Sequence, residues 1–152
     1  MIVKDIMKRP AATCGPESDL ASAIDAMRMH DCGFLPVVEG HGIVVGVVTD
    51  RDICLKAGAR HRALDRVSVQ ETMSRPVYSC FPEEHVKTAL VTMATHRVRR
   101  LPVLNKYGHL EGVLSIDDVI AAPSRRGGPT AEDILMALKG IYAPHPVEAV
   151  PA

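Results

Sequence analysis

The sequence predicts an α/β (α+β) fold: two copies of one β-α-β-β-α unit, followed by an extra C-terminal helix. Three observations carry this. The chain matches itself without a gap when shifted by 66 residues. Within each copy, apolar residues pass from helical spacing to strand-like runs. Each copy ends its strands on the same polar step, written GVVTDRD at Gly46–Asp52 and GVLSIDD at Gly112–Asp118.

The repeat is dense. Val3, Met7, Arg9 and Pro10 fall on Val69, Met73, Arg75 and Pro76, and Cys14, Pro16 and Glu17 fall on Cys80, Pro82 and Glu83. Ala23, Met27 and His30 fall on Ala89, Met93 and His96. Leu35-Pro36-Val37 falls on Leu101-Pro102-Val103, and Gly42, Gly46, Val47 and Asp52 fall on Gly108, Gly112, Val113 and Asp118. Roughly a third of about 54 aligned positions are identical, against about one in fifteen by chance at ordinary residue frequencies.

Each element follows from its residues. Thr13-Cys14 and Ser79-Cys80 form short extended stretches, because Pro16 and Pro82 bias their neighbours away from helix. Ser18 is positioned to cap a helix that runs to about Asp31, with Leu20, Ala23, Ile24 and Met27 on one stripe and Gly33 as its stop. Copy two repeats the stripe as Val86, Ala89, Leu90 and Met93. Phe34–Val38 and Ile43–Val48 read as strands joined through a turn with two glycines, Gly40 and Gly42. A second helix starts near Asp50 and ends near Gly58. The expected units are 1–58 and 68–122, with a polar linker at 59–67. Residues 123–152 hold the breaker-rich PSRRGGP, a helix at Thr130–Lys139 with Ile134, Leu135 and Leu138 on its apolar face, and a proline-containing tail.

Composition excludes several classes. Hydrophobic residues make up 47% of 152, enough for a core, while aromatics are 3% and Trp is absent. The core is therefore aliphatic, and base-stacking platforms for single-stranded nucleic acid are disfavoured. Eighteen basic and eighteen acidic residues balance, so no global charge points to nucleic acid or a membrane surface. MIVKDIMKRP is too charged and too short in apolar run for a signal peptide, and no apolar run reaches membrane-spanning length. Four cysteines without CxxC spacing fit a reduced, cytoplasmic compartment.

The repeated strand-to-helix step can do two things. A helix start presents unpaired N–H groups and the positive end of a dipole, which can hold an anion. Thr49 and Ser115 place hydroxyls there, and Asp52 and Asp118 follow three residues later. Ser/Thr-x-x-Asp is also close to a capping box, in which hydroxyl and carboxylate satisfy the helix start reciprocally. The alternative use of the carboxylate is to accept hydrogen bonds from a ribose diol.

The unit order, the LPV entry, the two-glycine turn of the first copy and the exit motif occur together. The combination resembles the cystathionine-β-synthase (CBS) domain, and the tandem resembles the paired Bateman module, over about residues 2–122. The resemblance implies two units packed through their small sheets with pseudo-twofold symmetry around two clefts. It also implies adenosine-containing ligands: AMP, ADP, ATP or S-adenosylmethionine. It gives Thr49, Asp52, Ser115 and Asp118 to ribose and phosphate, and Thr13, Cys14, Ser79 and Cys80 to the base. Arg99 and Arg100 match a basic pair before LPV that meets phosphates in the nucleotide-sensing subunit of AMP-activated kinase; the alternative is a solvated edge that discourages sheet association. Copy one has Gly33-Phe34 at that place, so the clefts should differ in charge. Arg51, a cation at a helix start, fits either an anionic ligand or a plain surface position.

His30-x-Cys32 lacks the four-ligand spacing of structural zinc, so no metal and no cofactor beyond a regulatory nucleotide is expected. Cys14 and Cys80 read as buried thiols without a legible neighbour to activate them. No G-x-S-x-G, H-E-x-x-H or P-loop lysine is present, so an enzyme is not expected. The leading expectation is a regulatory sensor that binds an adenine nucleotide, forms a homodimer and signals to a protein partner. The rival is an interaction module whose clefts are vestigial and whose Thr/Ser–Asp pairs only cap helices.

Overall fold

The computed structural model describes residues 1–58, 61–123 and 127–144. Copy one contains α1 (Leu20–Met29), β1 (Phe34–Glu39), β2 (Ile43–Thr49) and α2 (Asp50–Asp52), which widens into a π-helical stretch at Ile53–Ala57. Copy two contains α3 (Val86–His96), β3 (Arg100–Leu104), β4 (Leu110–Ser115) and α4 (Ile116–Ala121), and α5 follows at Ala131–Ile141. Each hairpin is antiparallel, β1 with β2 and β3 with β4, and carries a bulge at the same place, Val37/Val38 and Val103/Leu104. The short first strand of each unit is a single parallel bridge, Cys14 to Val37 and Cys80 to Val103.

Three local expectations are corrected. The cap of α1 is Asp19, whose carboxylate accepts from the Ser22 N–H at 2.8 Å; the Ser18 hydroxyl instead accepts from the Gly15 N–H and closes the preceding turn. The helix stops through Asp31, at φ 47°, rather than at Gly33. Aspartate tolerates this left-handed conformation better than most residues, and Arg97 takes the equivalent position at φ 54°. On α5 the buried side is Ala137 and Ile141 with Ile134 and Leu138 beside them, while Leu135 is exposed.

The packing units are not the contiguous repeats. Val3 and Met7 lie in the core of copy two with Val86, Leu90, Met93, Leu101, Val103 and Leu114. Val67 and Val69 lie in the core of copy one with Leu20, Met27, Leu35, Val37 and Val48. Backbone bonds fix the exchange symmetrically. The Val3 N–H donates to Glu84 O and Val69 N–H to Ser18 O; Lys8 pairs both ways with Val113, and Ser74 both ways with Val47. The boundaries 1–58 and 68–122 therefore describe the repeat, whereas the lead segment of each copy is built into the other. The expected linker ends inside this packing: Val67 is fully buried, and its carbonyl accepts from the Leu20 N–H.

The exchange explains the glycine in each exit motif. A Cβ on Gly112 would lie 2.7 Å from the Lys8 carbonyl oxygen, and one on Gly46 would run into the Met73 thioether. Only glycine lets the crossing lead approach this closely. The hairpin turns also meet, with the Val44 N–H donating to Gly108 O and the Leu110 N–H to Gly42 O. Helix α5 lies along α3. Thr130 and Asp133 form its capping box, Asp133 pairs with Lys87 at 2.8 Å, and Gly140 faces Ala94 so closely that any side chain there would collide. Among the described residues, no helix is long and apolar enough to cross a membrane.

Candidate functional site

The crossing of the two copies makes two composite clefts. One, of about 330 Å³, joins the exit motif of copy one (Thr49, Asp50, Arg51, Asp52) to the lead and strand entry of copy two (Ser74, Arg75, Pro76, Tyr78, Arg97, Arg99, Arg100). The other, of about 190 Å³, joins the exit motif of copy two (Ser115, Asp117, Asp118) to Lys8, Pro10, Ala12, His30, Asp31, Cys32 and Phe34 of copy one. Arg100 borders both clefts.

Equivalent positions carry opposite charge. Arg51 is replaced in the second cleft by Asp117, and Arg97 by Asp31. Five arginines, Arg51, Arg75, Arg97, Arg99 and Arg100, border the first cleft, which is therefore basic. The second holds Asp31, Asp117 and Asp118 against Lys8 and Arg100, and is acidic by comparison. Tyr78, half-buried and stacked on His96 at 3.7 Å between ring centroids, gives the basic cleft an aromatic wall where the acidic one has Ala12.

Both exit motifs form closed capping boxes. The Thr49 hydroxyl donates to Asp52 Oδ2 at 2.7 Å and accepts from the Asp52 N–H at 3.0 Å. The Ser115 hydroxyl does the same with Asp118, at 2.5 and 3.1 Å. The remaining oxygens differ. Asp52 Oδ1 is held by Lys56 Nζ at 2.9 Å and by the Ser74 hydroxyl at 3.2 Å. Asp118 Oδ1 has the mostly exposed Lys8 ammonium at 3.3 Å. Burial opposes ionisation of Asp52, but the Lys56 ammonium and the Thr49 and Ser74 hydroxyls outweigh it, so its pKa lies below the ordinary carboxylate value.

Of the expected site residues, Thr49, Arg51, Asp52, Arg99 and Arg100 come together in the basic cleft, and Ser115 and Asp118 lie in the acidic one. Thr13, Cys14, Ser79 and Cys80 line neither. Their strands are turned to the hairpins: Cys80 is buried in the core of copy two, and Cys14 packs on the core of copy one. The places beside the clefts are taken by Ala12 and Tyr78, two residues earlier. Burial pushes the Cys14 thiol up to about 11; burial, with Glu84 adding to it, pushes Cys80 up to about 12. These are values of inert thiols. His30 and Cys32 both border the acidic cleft, and among the described residues no three potential ligands gather for a metal. Sequence reasoning missed Arg75, Tyr78, Arg97, Asp31 and Asp117. The charge inversion Arg51/Asp117, visible once the copies are aligned, was the available signal.

Known proteins share this architecture. The CBS domain family model matches residues 3–57 and 68–125. The CBS domain-containing protein YhcV of Bacillus subtilis is 36% identical over 117 residues, covering 77% of this chain and 81% of that protein. The CBS domain pair of protein MJ0100, crystallised with 5′-methylthioadenosine and S-adenosyl-L-methionine, superposes with a TM-score of 0.72 at 28% identity, over 79% of this chain and 93% of that one. The CBS domain protein PAE2072 of Pyrobaculum aerophilum, complexed with AMP, gives a TM-score of 0.73 at 26% identity, over 80% and 92%. A doubled β-α-β-β-α unit with exchanged leads, two composite clefts and two family matches spanning most of its length place this chain in the CBS domain family, as a tandem pair.

Proposed function

We propose that the chain is a regulatory module that binds an adenine nucleotide, with the phosphates in the basic cleft, and passes the bound state to a protein partner. The observation that carries this is the gathering of Arg51, Arg75, Arg97, Arg99 and Arg100 around the Thr49–Asp52 helix start. Arginine–phosphate contacts are charge-assisted and often bidentate, and a cation at a helix start is unfavourable without an anion nearby. The Tyr78 ring and Pro76 offer the base a flat apolar wall. The adenosine ligands of the MJ0100 and PAE2072 pairs support the same class of ligand.

A second reading has its own observation. Both capping boxes are closed, and Asp52 already has partners on both oxygens, so the motifs complete helices without any ligand. Calorimetry with adenosine, AMP, ADP and ATP separates the two. The regulatory reading expects affinity to rise with phosphate number and the gain to vanish in Arg99→Ala/Arg100→Ala. No heat with any of the four leaves the interaction module.

A further inference from the structure

The carboxylate of Asp52 borders the basic cleft with its hydrogen-bonding capacity already filled. A carboxylate offers about four acceptor sites, two on each oxygen. Oδ2 accepts from the Thr49 N–H at 3.2 Å and from the Thr49 hydroxyl at 2.7 Å. Oδ1 accepts from Lys56 Nζ at 2.9 Å and from the Ser74 hydroxyl at 3.2 Å. The direction of the last bond is fixed by its neighbour. An ammonium only donates, and Lys56 directs its three protons to Asp52, to the Thr72 carbonyl at 2.9 Å and to the Ser74 oxygen at 3.1 Å. The Ser74 hydroxyl therefore accepts from Lys56 and turns its own proton to Asp52.

Ser74 enters this cleft from the crossing lead. The 66-residue shift puts Lys8 at its place in the other cleft, and Ala122 at the place of Lys56. Asp118 there has the Ser115 N–H and hydroxyl on Oδ2 and the Lys8 ammonium at 3.3 Å on Oδ1. Among the described residues, one of its four acceptor sites is left. A sugar hydroxyl can add to Asp118, whereas at Asp52 it must first displace a donor. Thr49 is the helix cap and Lys56 carries the compensating charge. That leaves Ser74, a neutral hydroxyl of the same chemistry as the incoming one. Granted that the ligand is an adenine nucleotide, as proposed above, we infer that Ser74 is a specificity-determining residue of the basic cleft. Its hydroxyl holds the acceptor site on Asp52 that a ribose hydroxyl would use, so this cleft selects its ligand by phosphate and is nearly indifferent to the sugar diol. Exchanging one hydroxyl for another on the same carboxylate gains little. A hydroxyl that meets a vacated acceptor gains a full charge-assisted bond.

The test is titration calorimetry of the full chain with ATP and with 2′,3′-dideoxyadenosine triphosphate, which keeps the base and phosphates and lacks both ribose hydroxyls. Ser74→Ala should tighten ATP binding about tenfold and leave the dideoxy compound unchanged, so the ratio of the two affinities rises. Ser74→Cys, with a weaker donor, should move the ratio the same way by less. Ser74→Thr restores the hydroxyl and should return the ratio to the wild-type value. The acidic cleft is the same in all four proteins, so a change in the ratio belongs to the basic one. A ratio that stays constant in Ser74→Ala and Ser74→Cys, or ATP binding that weakens there, overturns the proposal and leaves the nucleotide reading standing. Ser74 then only supports the lead, or itself touches the ligand. No binding of either compound by any of the four proteins overturns both.

Discussion

The two clefts have the same backbone and opposite electrostatics. Each is built from one copy's exit motif and the other copy's lead and strand entry, so the scaffold is common. Arg51 against Asp117 and Arg97 against Asp31 then set one cleft basic and the other acidic. The exit motifs differ in a second way: the outer oxygen of Asp52 is held by Lys56 and Ser74, whereas that of Asp118 meets, among the described residues, the exposed Lys8. Duplication therefore left a scaffold whose two sites diverged in charge and in how tightly the shared carboxylate is held. On the function proposed above, phosphate-rich ligands are expected to favour the basic cleft.

The largest effect that bears on this difference is expected from moving the charge. Arg99→Ala/Arg100→Ala should lower ATP affinity by about thirtyfold or more, since a hydrogen bond to a charged group contributes roughly 1.5–3 kcal/mol, while adenosine affinity changes little. Asp31→Arg/Asp117→Arg should give the acidic cleft a new phosphate-dependent affinity. Titration calorimetry reads both. Equal losses for adenosine and ATP would return Arg99 and Arg100 to the role of a solvated strand edge.

The capping carboxylates come next. Asp118→Ala should cost about 1 kcal/mol, as a lost cap does. Asp52→Ala should cost more, about 2 kcal/mol, because the Lys56 and Ser74 contacts go with the cap. The pH dependence has a definite sign. The folded pKa of Asp52 lies below that of the unfolded chain, so its contribution is fully present above about pH 4 and is lost as pH falls through the folded value. Chemical denaturation of wild type and Asp52→Ala should therefore converge at acid pH. Parallel curves would remove the ion-pair account of Asp52.

The smallest effect concerns the lead that crosses beside the basic cleft. Thr72 is buried, and its hydroxyl has no hydrogen-bond partner among the described residues; the equivalent residue of the other lead is Ile6. Thr72→Val should stabilise the protein by about 1 kcal/mol, since an unsatisfied buried hydroxyl is removed at nearly constant volume. Thermal melting checks this, and a loss of stability would mean that the hydroxyl has a bound water.

Much of this was legible in the residues. The repeat, the element order and the paired exit motifs follow from apolar spacing and from one 66-residue shift. What escaped was everything that depends on one copy meeting the other. Gly46 and Gly112 were visible as repeated glycines, but their reason lies in Met73 and Lys8, which cross from the opposite copy. Arg99 and Arg100 were visible as basic, but not that they face Thr49 and Asp52 rather than only their own unit's motif. Cys14 and Cys80 were placed beside the base by the family resemblance, because the direction of each short strand's faces was not readable from its residues. Asp19 displaced Ser18 as a cap by one residue, within the usual uncertainty of helix ends.

The exchanged leads have a consequence for how such a chain can be cut. A polypeptide carrying one repeat alone would lack Val67 and Val69, or Val3 and Met7, from its core, and could complete it only by borrowing the same segment from a second molecule. One repeat is thus expected to form a segment-swapped dimer, assembled at a rate and extent set by protein concentration. Joining two repeats in one chain turns that borrowing into an intramolecular step, with both donors always at hand.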